Sequence, residues 1–366
     1  MKKFITTSLF IGILSQVVLA QNAGDFIDLS SSDQFFEISK VIASGKEPAE
    51  NDWEALFETA GYQVRAHRDI IRNMAIFAFH SGYEQQRDSI LKFSIVDDMS
   101  DDSKVLSKMT LTNFLDMKNN FNTLEEFRNT YDFNSLKESS EERLKSFLKD
   151  PVDSLIVFPS INLLCQEADA QSKPKGIVID FNLFYKQVPN HENINFLAHE
   201  MFHTYRRNFE NKKLVKSSNL MRQIDNLQNE GTADLIDKTL NSLTQKLITW
   251  GYPQSFVDFY ISTYDNTPEK LQVMDSLTCS FIHKEIDEEE FNKQLKDFFI
   301  FGGHPNGFYM TNIIKEAGLI DELIARFYSP VDFIKIYNQA AGEENTYVFS
   351  NEFIHYLEKQ ELKYAE

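Results

Sequence analysis

Between about residues 150 and 190 the chain changes its pattern, and that change limits the folds open to it. The preceding segments repeat apolar residues at helical spacing. "DQFFEISKVIASG" sets Phe35, Phe36, Ile38 and Val41 near one face and ends on glycine, while "NDWEALFETAGYQVRAHRDIIRNMAIFAF" and "NTLEEFRNTYDFNSLKESSEERLKSFLKD" carry their charges off the apolar face. "DSLIVFPS" and "KGIVIDFNLFY" are different: short, β-branched and aromatic, bounded by Pro, Gly and Lys, they predict strands. Helical periodicity then returns, broken by "TWGYPQ", "YDNTPEK" and "FGGHPNG". A few strands within a long run of helices predict a mainly α (α+β) protein with one small sheet. No repeat or low-complexity linker divides the chain. Residues 21–150 are therefore read as a helical N-terminal region of the same domain as residues 151–366.

The strand "KGIVIDFNLFY" leads directly into "KQVPNHENINFLAHEMFHTYRRNF", a predicted helix that Asn190 or Asn193 would cap. Residues four apart on a helix lie on one face, one turn above each other. His199 and His203 therefore point the same way and can share a metal ion. Glu200 sits one residue round, where a carboxylate can take a proton from a metal-activated water. That arrangement is the mechanical basis of H-E-x-x-H in zinc hydrolases. Ile194, Leu197, Ala198, Met201 and Tyr205 make a separate apolar stripe, and Phe196 lies on the side of the two histidines.

Such a pentapeptide arises by chance in roughly one chain in a hundred of this composition, so a third ligand has to be found. "LQNEGTADLID" offers Glu230, 27 residues after His203, and a helix–loop–helix would return it to the metal. Gly231 beside it permits close approach of the two helices. Asp234, one turn on, is placed to accept the far N–H of a ligand histidine and so fix its orientation. In "FGGHPNGFYMTNIIKEAG" three glycines and Pro305 predict a constrained loop, followed by a helix from about Phe308 to Gly318. The remaining histidines (His67, His80, His191, His283 and His355) lack partners at ligand spacing and are read as structural.

His199-Glu200-x-x-His203 followed by Glu230-x-x-x-Asp234 resembles the gluzincins, metallopeptidases that hold zinc with two histidines and a glutamate. "HEMFH", "NEGTAD" and "GHPNGFYM" together look like a bacterial family of zinc-dependent peptidases, over residues from about 150 to 330. The interval from the second histidine to the glutamate is longer than in thermolysin-like enzymes. The resemblance implies a zincin-like fold and one Zn2+ per chain on His199, His203 and Glu230. It also implies Glu200 as general base, with Tyr309 or His304 as donor to the oxyanion. By analogy with gluzincins, "KGIVIDFNLFY" would be a sheet edge able to pair with extended substrate, an ordinary core strand being equally compatible with its sequence.

Composition narrows the partners. A formal charge of −18, with no Lys/Arg-rich run, argues against a nucleic-acid binder, which must displace counterions from phosphates. Lys2 and Lys3, the apolar run Phe4 to Leu14 and Val18-Leu19-Ala20 read as a signal peptide over residues 1–20, cleaved before Gln21. That run is short for a membrane span, and no later segment reaches the roughly 20 apolar residues one needs. The mature chain is expected to be exported, periplasmic or secreted, without stable membrane insertion. Cys165 and Cys279 are the only thiols, and their separation leaves pairing open. The expected function is hydrolysis of peptide bonds in a peptide or protein substrate. Two readings compete with it: a non-catalytic helical binding or scaffold protein, and a zinc hydrolase acting on a non-peptide amide or ester.

Overall fold

The computed structural model describes residues 26–65, 67–98, 101–149 and 158–364. The expected signal peptide lies outside them, as does most of "DSLIVFPS". The described residues are mainly helical around a four-stranded sheet in the order β1 (Ile27–Asp28), β2 (Ile161–Leu164), β4 (Gly176–Asp180), β3 (Ala170–Lys173). β1, β2 and β4 run parallel, with Leu164 opposite Asp180, and β3 runs antiparallel to β4 with Ala170 opposite Ile179.

Most of "DSLIVFPS" lies outside the described residues, and a strand follows it at "INLL". "KGIVIDFNLFY" is a strand only as far as Asp180, whose carboxylate accepts from the Leu183 N–H (2.8 Å) and the Gln166 N–H (3.0 Å) and so starts the helix Phe181–Gln187. Of the two alternatives for this stretch, β4 is the core strand. It pairs on both sides and is buried throughout, as its unbroken apolar run suits, whereas the edge beside it is the short polar β3, "AQSK". β3 packs against the motif helix, Glu192–Arg206, where Ser172 Oγ and Thr204 Oγ1 are 3.0 Å apart.

Two apolar cores flank the region that matters. The first runs from Ile27 through the N-terminal helices, the sheet and the motif helix to Phe327. Polar side chains also tie the N-terminal helices to the sheet region: Tyr62 O–H donates to Cys165 O (2.6 Å) and Asn113 Nδ2 to Gln166 O (2.6 Å). The second core gathers residues between Leu214 and Leu357. Two helices form the seam. The carboxylate helix, Asn219–Asp237, gives Ile224 and Leu227 to the second core and Ala233 and Ile236 to the first. The helix His304–Glu316 divides Phe308 from Met310 and Ile314 in the same way. Cys165 and Cys279 are both unpaired. No helix among the described residues is long and apolar enough to cross a membrane.

The seam helices approach backbone to backbone. A Cβ on Gly231 would lie 2.3 Å from Gly307 O, and one on Gly307 would lie 2.3 Å from Leu227 O. Gly231 therefore opens the carboxylate helix to His304–Glu316, not to the motif helix. The His304–Glu316 helix starts earlier than the glycines imply, so Pro305 sits in its first turn, where a missing N–H costs nothing. The constrained loop shrinks to the turn Phe301–Gly303, in which all three residues have positive φ. Asn193 is not a cap, since its Nδ2 donates to Tyr131 O–H (2.8 Å) from within the first turn of the motif helix; the N-cap is His191.

Gly307→Ala tests the seam. Alanine alone would favour the helix by about 1 kcal/mol, but the methyl meets backbone that cannot rotate away. Overpacking of about 1–3 kcal/mol should win. Urea unfolding should show a lower midpoint for Gly307→Ala, and an unchanged or higher midpoint would mean that the two helices are free to part.

Candidate metal centre

Three helices deliver the polar cluster. His199, Glu200 and His203 project from the motif helix and are almost wholly buried, at 2, 4 and 9 % exposure. The carboxylate helix supplies Glu230, Asp234 and Asp237 at spacings of four and three, a single face, with Asn229 beside them. His304 opens the third helix, placed by the Phe301–Gly303 turn, where an added Cβ on Gly302 would come 4.0 Å from the Glu230 side chain. Arg206, buried in the last turn of the motif helix, donates to Asp225 and Gln228 of the carboxylate helix and to Phe327 O, which sets the register of the two.

His199, His203 and Glu230 bring one ligand atom each within 4.8 Å of one another. Glu230 Oε2 is 3.2 Å from His203 Nε2 and 3.2 Å from His304 Nε2. The expected partners therefore meet across 27 residues of chain. Asp234 does not hold a motif histidine as expected. His199 Nδ1 lies 3.0 Å from Asp237 Oδ1 and 3.7 Å from Asp234. Asp234 instead faces His304 Nδ1 at 3.0 and 3.2 Å. His203 Nδ1 lies 3.0 Å from Asn229 Oδ1. Asp237 and Asn229, which the sequence reading does not single out, make these contacts instead. The signal was present: Asp237 lies seven residues after Glu230, on the same face.

Tyr309 is not brought to the cluster. Five positions along a helix turn through about 140° net, so it leaves the His304 face. Its hydroxyl lies 2.7 Å from Thr346 Oγ1 and its ring meets Tyr264 edge-on. The oxyanion role that the resemblance implies for Tyr309 has no support in this geometry, because the phenol is committed elsewhere. His304 is at the cluster, with 31 % of its side chain exposed on the solvent side.

The electrostatics favour a cation at the centre. Burial would raise the Glu230 carboxyl, but the charges of His203 and His304 outweigh it and hold it far below the ordinary carboxylate range. Burial works against a charged His304 ring, yet Asp234 and Glu230 lift its pKa to about 9. The Glu200 carboxyl is raised by burial, against the opposing pull of His203 and His199. Glu200 Oε2 and Glu230 Oε2 are buried without a hydrogen-bond partner, an arrangement that costs free energy unless something else meets them. Four carboxylates gather here, three of them buried (Glu200, Asp234 and Asp237), and Lys238, against Asp234 at 2.5 Å and Asp237 at 3.3 Å, supplies one ammonium. A divalent ion on His199, His203 and Glu230 supplies two further charges and satisfies the orphaned Glu230 oxygen, so the residues fit such an ion. A second grouping, His199, Asp234 and His304, also clusters. It is no second metal site, because Lys238 already fills the cation's place at Asp234.

Asn229→Ala removes only the acceptor for His203 Nδ1. Affinity for a divalent ion, measured by competition with a chelating dye, should fall about 10–100-fold, as it does when an outer hydrogen-bond partner is lost. Unchanged affinity would mean that Asn229 does not orient the ring.

The family described as "Putative zinc dependent peptidase (DUF5700)" matches the chain over residues 53–346. The match contains every residue of the cluster and extends well into the N-terminal helices, beyond the stretch in which the motifs lie. No curated protein and no solved structure matches the chain. With most of its length covered, the chain belongs to this family.

Proposed function

We propose that the chain is an exported single-zinc peptidase of gluzincin type, with Glu200 as its general base. The observation that carries this reading is the convergence of His199, His203 and Glu230 beside an unpartnered, buried Glu200 oxygen. Zinc supplies Lewis acidity there: it acidifies water and polarises a carbonyl oxygen. Each motif histidine is held in one orientation by its Nδ1 contact, His199 on Asp237 and His203 on Asn229, which leaves Nε2 for the ion. Glu200 accepts the proton of the attacking water as the oxygen bonds to the carbonyl carbon. It then passes that proton to the amine as the C–N bond breaks.

The open edge of β3 supports a peptide substrate over a simple ester. An extended chain beside Ala170–Lys173 would pair through backbone hydrogen bonds, next to the helix that carries the base. Export rests on Lys2, Lys3, the apolar run and Val18-Leu19-Ala20.

Zinc stoichiometry of purified wild type beside His203→Ala separates this reading from a scaffold: one zinc in the first and a marked loss in the second are expected. Glu200→Gln should keep its zinc and fold while kcat for peptide cleavage drops by about 10²–10⁴-fold. Cleavage by Glu200→Gln at the wild-type rate would end the proposed mechanism, and activity on esters alone would shift the substrate class. Mature protein recovered outside the cytoplasm should have an intact mass that begins near Gln21. A full-length chain held in the membrane fraction would contradict export.

A further inference from the structure

Arg207 caps the motif helix with helical φ and ψ, two turns beyond Glu200 and therefore on the same face. Thr204, one turn from Glu200, meets Ser172 Oγ at 3.0 Å, and Arg207 Nη2 donates to that same oxygen at 2.5 Å. This face thus looks onto β3, the edge strand beside which an extended peptide would pair. Arg207 is half-buried, and among the described residues no carboxylate comes within ion-pair distance of it. Its guanidinium carries five N–H donors, of which only Ser172 is served. Other arginines held by the fold are matched: Arg65 meets Glu167 and Asp169, Arg87 meets Glu84, and Arg206 meets Asp225. Arg143 has two acceptors, Asn195 Oδ1 and Ile236 O. Burial lowers the Arg207 pKa, and the charges of Glu210 and Glu200 offset this only in part. A half-buried cation without a counter-ion costs free energy that an arriving anion would recover in charge-assisted hydrogen bonds. Lys173 at the end of β3 and Lys175 in its turn are exposed and make this corner basic, on a chain that carries −18 overall.

We infer that Arg207 is a specificity-determining residue that binds a carboxylate of the substrate, on an acidic side chain or at the C-terminus, on the Ser172 side of the scissile bond. The inference rests on the zinc-peptidase reading and adds to it the class of peptide preferred. Seven helical residues rise about 10.5 Å, and helical side chains lean back toward the N-terminus, where Glu200 lies. An extended peptide advances about 3.3 Å per residue, so the carboxylate belongs within about three residues of the bond that is cut. A guanidinium fork takes both oxygens of a carboxylate at once, which a neutral amide cannot match. Arg207 then decides which peptide is held beside β3, while proton transfer stays with Glu200.

Matched peptides supply the test. One series carries Glu or Gln at each position within three residues of the cleaved bond, and another ends there in a free acid or an amide. With the zinc-loaded full chain, kcat/KM should favour the carboxylate member of one series by about 10–100-fold, the effect of a charge-assisted hydrogen bond. The series that shows the preference identifies the carboxylate as a side chain or a chain end. Arg207→Gln keeps a donor for Ser172 but loses the charge, and there the ratio should fall to near one. A wild type that favours no carboxylate would overturn the inference, and that result decides the matter even if Arg207→Gln does not fold. So would a preference that survives in folded Arg207→Gln. The peptidase reading fails differently, by cleavage of no peptide at all, and would take the inference with it.

Discussion

A helix that sets Glu230, Asp234 and Asp237 along one face, the last two buried, has to find positive charge or protons for them, and the surrounding structure is arranged to meet that need. Unpaired, carboxylates removed from water would cost several kcal/mol each and would take up protons instead. Lys238 answers two of them directly. His199, reaching Asp237, and His304, reaching Asp234, answer the same two from other helices. Glu230 faces two Nε2 atoms through a single oxygen, at 3.2 Å from each, so the carboxylate sits where its charge is met from two helices.

The backbone makes this gathering feasible. Imidazoles on one helix and carboxylates on another meet within hydrogen-bond range only if the helices are held in register and close. Arg206 sets the register, as a buried guanidinium with partners on the carboxylate helix and on Phe327. Gly231 and Gly307 set the distance to the third helix, because any side chain at either position would collide with opposing backbone. The two apolar cores clamp these helices from either side, which places the charged cluster at their seam. A polar centre positioned this way moves little, as the outer hydrogen bonds of a metal site require.

Much of the centre was readable from spacing. His199 and His203 had to share a face because they lie four residues apart on a helix whose apolar stripe runs elsewhere, and Glu230 was findable as a carboxylate followed by glycine on the next long helix. The mainly α fold with a small sheet was readable too, since periodicity distinguishes helix from strand wherever segments are long. The errors fell where a single segment has no local signature or one hidden by its neighbours. β3, "AQSK", is short and polar, and becomes a strand only because β4 offers it a partner. "KGIVIDFNLFY" looks like one strand, yet Asp180 ends it by capping the next helix on the Leu183 N–H, a local signal that the apolar run around it hides.

The roles of Asp234, His304 and Tyr309 show the division most sharply. Sequence by itself determined which side chains share a helix face, because that depends on a fixed turn per residue and on nothing else. It left undecided which partner each face meets, because that depends on how helices far apart in the chain cross. Asp234 was legible as an orienting carboxylate, but only the crossing of the carboxylate helix and the His304–Glu316 helix at their two glycines decided that the ring it orients is His304. The same crossing, with the helix beginning at His304 rather than Phe308, carried Tyr309 round to Thr346 and away from the site. Spacing along a helix is local geometry; convergence on a metal is a property of packed backbones, and it appears only when they are in place.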